Sequence, residues 1–300
     1  MRFATALLIA VCVDARLVGQ PSGQTRDPAS FKTEVRLVRL LVNVKNEAGE
    51  LIGTLNKDEF TVFDNGAKQD IAVFEHYTTK PLSVSIMIDT SGSTLKDWQL
   101  EVKSLGRFLR ALFGSGNERD TAALYTFNYD VTLEHDFTRN TKVLEEKLRF
   151  IKPEGGTSLY DAVFHAARDL QHRDGRHVMV LVSDGGNTTS SKSFKDAREA
   201  AQRADAVMYP IVIVPISNDA GRNIGGEHAL QTLASDTGGR WFDPTIAELD
   251  RTFEEILRDL RAQYMLGYYP RQQNPGFHTV RVDLSRKDLR AQTRTGYYGE

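Results

Sequence analysis

The chain has 300 residues, enough for one large domain or two modest ones. Its 40 acidic and 38 basic side chains leave a formal net charge of -2, which excludes the electrostatic footprint of a nucleic-acid binder. Cys12 is the only cysteine, so intrachain disulfides are excluded as a source of stability.

Arg2 followed by the apolar residues 3–13 reads as a secretory signal, too short to span a bilayer. We assign residues 1–18 to it, with cleavage after Ala15 or near Gly19. Cys12 falls inside this segment, and Val11 before it makes a poor lipobox. Residues 19–32 are polar, contain Pro21, Gly23 and Pro28, and read as a linker. A β-rich stretch, 33–80, follows. Residues 35–44 alternate in part, 46–49 form a turn, and 60–64 and 69–77 read as strands about an Asn65-Gly66 hairpin signal.

From Pro81 the pattern changes. Residues 82–88 are a near-continuous apolar run, as in a central parallel strand, and lead into Asp89-Thr90-Ser91-Gly92-Ser93. Helical spacing covers 97–113, 143–151, 159–170, 194–204, 227–235 and 246–262. Strand patterns cover 121–127, 177–182, 206–214 and 240–242. This alternation predicts a doubly wound, Rossmann-like α/β domain over 81–262. After Gln263 strands return at 264–269, 278–284 and 291–298. These flanks are too few for two independent sheets of good size, so 33–80 is expected to pair with 263–298 in one β-sandwich.

The chemistry-bearing residues gather where open α/β sheets bind ligands, just past the carboxyl ends of strands. Asp89, Ser91 and Ser93 end one strand, Asp184 ends another in Ser183-Asp184-Gly185, and Thr157 lies in the Gly155-Gly156-Thr157 loop before a helix. Each has a plainer reading. The serines and Thr157 are good helix caps, and Asp184-Gly185 is a good turn. Together they make an all-oxygen donor set suited to Mg2+, with Mn2+ or Ca2+ also accommodated.

In this order and context, D-x-S-x-S, G-G-T and S-D-G resemble the metal-ion-dependent adhesion site of the von Willebrand factor type A domain. The resemblance implies that Ser91, Ser93 and Thr157 offer hydroxyls to the metal, and that Asp89 and Asp184 supply charge directly or through water. It implies one coordination position left open for an acidic group of a partner. It also implies that the last helix, 246–262, can slide when the metal takes a ligand. Asp97, Trp98 and the loop 187–193 are rim candidates, although Trp98 fits core packing better. The flanks, at 55–66, 264–269 and 296–298, resemble bacterial VWFA-related domain proteins.

The expected function is an extracytoplasmic, periplasmic or secreted, non-enzymatic module of the cell-adhesion kind that binds an Asp or Glu carboxylate on a protein ligand. No nucleic-acid partner and no membrane span in the mature chain are expected. One alternative is a Mg2+-dependent phosphohydrolase of the haloacid dehalogenase type with Asp89 as nucleophile, but Ser91 stands where that family needs a second Asp. The other is a structural module whose metal only braces the loops. The chain has no Walker A sequence, no G-x-S-x-G and no H-E-x-x-H.

Overall fold

Residues 37–76, 80–114, 116–213 and 223–299 are described by the computed structural model. The expected leader and linker lie outside them, as do the first residues of the opening strand.

The first strand, β1 (Val38–Asn46), buries Val38, Leu40, Val42 and Val44 on one face, the period of two expected of a half-buried strand. β2 (Phe60–Asp64) turns through Asn65 (φ 46°) and Gly66 (φ 80°) into β3 (Ala67–Gln69). Two successive positive φ values match the twist of a two-residue hairpin. β4 (Ile71–His76) then begins after Asp70. The single strand expected over 69–77 is thus two short ones, and β4 joins a different sheet from β3.

The α/β domain opens with β5 (Leu82–Asp89), buried at every residue. A 3-10 turn, Gly92–Lys96, leads to α1 (Trp98–Gly114). Next come β6 (Thr121–Phe127), β7 (Val131–Thr138), α2 (Thr141–Arg149), α3 (Leu159–Leu170) and β8 (Arg176–Ser183). The domain continues with α4 (Phe194–Arg203), β9 (Ala206–Val212), α5 (Ile224–Thr237) and α6 (Leu249–Arg261). The sheet order is β7-β6-β5-β8-β9, with β5, β6, β8 and β9 parallel and β7 antiparallel at the edge. The sheet is therefore mixed rather than wholly parallel. Residues 131–138 lack a buried face, so their sequence carries no alternation strong enough to announce a strand. Residues 240–242 contribute only a bridge between Phe242 and Ile211.

Helices cover both faces of this sheet. α1, α2 and α6 pack on one side around Leu105, Leu109, Phe253 and Ile256, with the Phe108 and Phe253 rings stacked 4.7 Å apart. α3, α4 and α5 pack on the other, largely through alanines that let the helices approach closely. Each fully buried Leu or Phe contributes roughly 1.5–3 kcal/mol, so packing rather than helix propensity holds these helices.

Beyond α6 the chain returns to β structure: β10 (Tyr264–Tyr268), β11 (Gly276–Leu284), β12 (Leu289–Gln292) and β13 (Gly296–Gly299). Two four-stranded sheets result, β12-β1-β10-β4 and β13-β11-β2-β3, enclosing Leu40, Val42, Val62, Leu266 and Val280. N- and C-terminal strands interleave in both, as in the pairs Leu40 with Leu266 and Val62 with Val282. The strand expected over 291–298 divides into β12 and β13, one in each sheet.

Inside the sandwich lies one carboxylate, Asp64, 4 % exposed. It accepts hydrogen bonds from Tyr268 Oη (2.9 Å) and Tyr297 Oη (2.7 Å) and pairs with His278 Nδ1 (2.9 Å). The other ring nitrogen of His278 meets the Asn274 carbonyl at 2.7 Å.

The α/β domain is joined to the sandwich by neighbouring strands. β4 leads in, β10 leads out, and the two are antiparallel partners through His76 and Tyr264. Buried Arg176 donates to the Leu260 carbonyl (2.6 Å), to Gln263 Oε1 (3.1 Å) and to the Lys80 carbonyl (3.4 Å), closing the two crossings together.

Candidate functional site

Three loops meet at the carboxyl ends of β5 and β8, and backbone bonds hold them in register. After β5, the Thr90 amide donates to the Phe127 carbonyl (2.9 Å), while the Thr90 carbonyl accepts from the Glu154 amide (2.8 Å). Gly92 N–H reaches the Gly155 carbonyl at 3.4 Å. The loop after β8 closes on the middle one: Thr188 and Thr189 amides donate to the Thr157 carbonyl (2.8 and 3.1 Å), and Thr157 N–H donates to Thr188 Oγ1 (2.9 Å).

Glycine is required at the centre of this junction. Gly155 has φ 88°, and a Cβ there would lie 2.5 Å from the ring of Tyr129, which lies across Gly155 and Gly156. A side chain on Gly226, at the start of α5, would collide with the Gly185 carbonyl.

Asp89, Ser91, Ser93, Thr157 and Asp184 all lie on these three loops or at the strand ends that feed them. Asp89 is fully buried at the end of β5. Its Oδ1 accepts the Ser91 amide (2.8 Å), and its Oδ2 accepts the Ser183 hydroxyl (2.6 Å). Ser91 Oγ lies 3.0 Å from Ser93 Oγ. Although Ser91 occupies the cap position of the 3-10 turn, its side chain makes no capping bond, so the plainer reading of that serine fails. The cap position of α3 belongs to Ser158, and Ser158 Oγ bonds to the Tyr129 carbonyl instead (2.7 Å). Asp184 Oδ1 accepts the Gly186 amide (2.9 Å), the expected turn bond. A Cβ on Gly186 would lie 3.0 Å from Asp184 Oδ1 and 3.6 Å from Thr157 Oγ1, so both oxygens border Gly186.

Of the rim candidates, Trp98 is buried in the core beneath α1, and Asp97 is half-buried. Thr188, Thr189, Ser191 and Ser193 of the loop 187–193 are exposed. Three members escaped the sequence reading. Ser183 orients Asp89, and its signal is the hydroxyl directly before Asp184. Tyr129, 62 % exposed, roofs the glycines and carries no sequence signal of its own. Glu101 is buried on α1, and its signal is an acid on the apolar stripe that runs through Trp98 and Leu105.

The electrostatics are one-sided. Burial pushes the Asp89 carboxyl up to about 6, with Asp184 adding to the rise and the Ser183 and Ser91 hydrogen bonds opposing it. Burial pushes Glu101 up to about 8, and Asp89, Asp97 and Asp184 all push the same way. Among the described residues no three His, Cys, Asp or Glu side chains form a cage for an ion by themselves. The candidate donor set is instead two carboxylates and three hydroxyls, with a negative field around them. Oxygen-only donors with few charges suit a hard dication that keeps part of its water.

A sequence profile for the von Willebrand factor type A domain matches residues 84–187, which include all five candidate donors. The α/β domain thus carries a von Willebrand factor type A domain match, and is termed the A domain. The fold has wide company at low identity. The vWF domain of the type V pili tip protein Mfa5 from Porphyromonas gingivalis superposes with a TM-score of 0.50 at 17% identity, covering 60% of this chain and 95% of that one. Proximal thread matrix protein 1 from the mussel byssus gives a TM-score of 0.50 at 15% identity, over 66% of this chain and 49% of that one. An aerotolerance-related membrane protein from Bacteroides fragilis gives 0.47 at 19% identity, over 60% and 98%. No curated protein matches the chain in sequence. The shared element is the A domain's mostly parallel sheet flanked by helices. Among the described residues no helix of the A domain or of the rest of the chain is long and apolar enough to cross a membrane.

Proposed function

We propose that the A domain is a non-enzymatic binding module in which Ser91, Ser93 and Thr157 offer hydroxyls to a divalent cation, Mg2+ by preference, and Asp89 and Asp184 supply charge to it directly or through water. The ion presents an open coordination position to an Asp or Glu carboxylate of a protein partner. A cation supplies the attraction, and the surrounding loops supply selectivity. The observation that carries this reading is the convergence of three hydrogen-bonded loops on oxygens that the fold does not use as helix caps. Exposed apolar side chains lie about the donor loops: Leu95 two residues after Ser93 (61 % exposed), Tyr129 over the glycine loop, and Ile224 (74 %) at the start of α5, beside Asn223, which donates to the Gly185 carbonyl. They favour an acidic residue with apolar neighbours as the recognised feature. Residues 1–18, acting as a secretory signal, would carry the chain to this encounter outside the cytoplasm.

The phosphohydrolase reading is less well supported. A nucleophilic Asp needs a carboxylate oxygen open to substrate, and both oxygens of fully buried Asp89 accept hydrogen bonds from Ser91 and Ser183. The test is a Mg2+ titration of the full chain by calorimetry after EDTA treatment, followed by selection from a displayed peptide library. Wild type should bind one ion and enrich EDTA-sensitive peptides carrying an acid beside apolar residues. Asp89→Ala should lose at least about a hundredfold in Mg2+ affinity while still unfolding cooperatively. Equal affinity in the two proteins would overturn the assignment. Peptide binding that survives both EDTA and Asp89→Ala would reduce the metal to a brace.

A further inference from the structure

Glu101 is the carboxylate among the A domain's buried side chains with an unpartnered polar atom, counted over the described residues. It lies on the buried side of α1 at 5 % exposure, where a leucine would pack, and its Oε2 has no hydrogen-bond partner among the described residues. A buried carboxyl in that position works against the fold unless something answers it. Rules broken locally in this way mark functional positions.

What Glu101 faces is a small cavity between α1 and the ends of β8 and β9. Thr94, Asp97, Ser183 and Asp184 line its polar side, and Val182 and Ile213 its apolar side. The space open to the centre of a water-sized sphere is ≈ 10 Å³. That is room for about one water molecule. Among the described residues no basic side chain lines it. Asp184 and Ser183 connect the cavity to the cation site, because Ser183 also holds Asp89. A second metal ion is the poorer occupant, since no three acidic side chains among the described residues are arranged to cage one.

We propose that Glu101 is an outer carboxylate of the cation site: it accepts a hydrogen bond from a water in this cavity that belongs to the hydration shell of the divalent ion. The inference rests on the cation reading above and adds to it a residue that touches no metal. Outer partners of this kind fix the orientation of a metal's ligands and set affinity, and their removal typically costs about 10–100-fold. Glu101 is accordingly a positioning residue.

The experiment compares wild type, Glu101→Gln, Glu101→Met and Asp89→Ala as full chains, by Mg2+ calorimetry and by thermal unfolding in EDTA. Glu101→Gln should bind one ion about tenfold more weakly than wild type. Glu101→Met fills a similar volume without an acceptor and should lose at least as much. Both variants should unfold in EDTA at or above the wild-type temperature, because they remove an unpartnered buried carboxyl. A purely structural role predicts the opposite shift. Wild-type affinity in both Glu101 variants, beside a large loss in Asp89→Ala, would overturn this inference and leave the cation site standing. A lower unfolding temperature in EDTA would also overturn it, as would a wild-type stoichiometry of two that falls to one in Glu101→Gln. No Mg2+ binding by wild type would overturn both readings together.

Discussion

Asp64 and Asp89 are the same residue in nearly the same setting, each the last residue of a strand and each buried. In the sandwich, Asp64 is fully answered. Two tyrosine hydroxyls donate to it, and His278 stands beside it with both ring nitrogens facing acceptors. Protonated on both nitrogens, the ring donates to both acceptors and closes the site with a charge from the protein itself. In the A domain, Asp89 receives one hydroxyl and one backbone amide, and its ionisable neighbours are the acids Asp184 and Glu101. One carboxylate finishes a fold. The other leaves a deficit of positive charge where three loops meet, which the proposed cation would supply.

The contrast can be broken most forcefully at the closed end. His278→Leu strips the counter-charge from a buried pair and should cost about 3–5 kcal/mol of stability, read by denaturant unfolding, with Mg2+ affinity unchanged. A loss below about 1 kcal/mol would mean that the tyrosines alone suffice and that the two aspartates differ less than the geometry implies. The open end should respond to the ion instead. Mg2+ at about a hundred times its dissociation constant should stabilise wild type by about 2.7 kcal/mol, and Asp89→Asn by nothing measurable. Equal stabilisation of both would remove the distinction.

The smallest effect concerns pH. Burial alone would lower the His278 pKa, but the Asn274 carbonyl and the Asp64 carboxylate outweigh it and hold it above the ordinary value. An unfolded histidine titrates near ~6.5. The pair's stabilisation is therefore complete below that pH and is lost as pH rises through the higher folded value. Unfolding in EDTA, followed from mildly acidic to alkaline pH, should show the gap between wild type and His278→Leu narrowing on the alkaline side. A constant gap would indicate that the ring is neutral throughout.

The α/β core was legible because buried strands write themselves as apolar runs, as β5 and β8 do, with Asp89 and Asp184 at their ends and Thr157 in the loop before α3. The interleaving of the flanks was legible from their scarcity. What escaped had physical reasons. β7 is an edge strand with no buried face, so alternation could not reveal it. The segments 67–76 and 289–299 each change sheet partway, at Asp70 and at 293–295, and a strand pattern does not say which sheet it belongs to. Glu101 was visible as an acid on an apolar stripe, but only the packing reveals that nothing answers its second oxygen. Tyr129 needed the tertiary fold to bring it over Gly155.

The antiparallel stem of β4 and β10 has a mechanical consequence. β5 starts at Leu82 beside that stem and ends at Asp89 under the rim, a span of about 23 Å at the usual rise per residue. A tug between a captured partner and the sandwich would run lengthwise down β5. That strand is zipped on both edges, to β6 and to β8. Its hydrogen bonds would be sheared together rather than peeled one after another, which is how a β ladder best withstands tension.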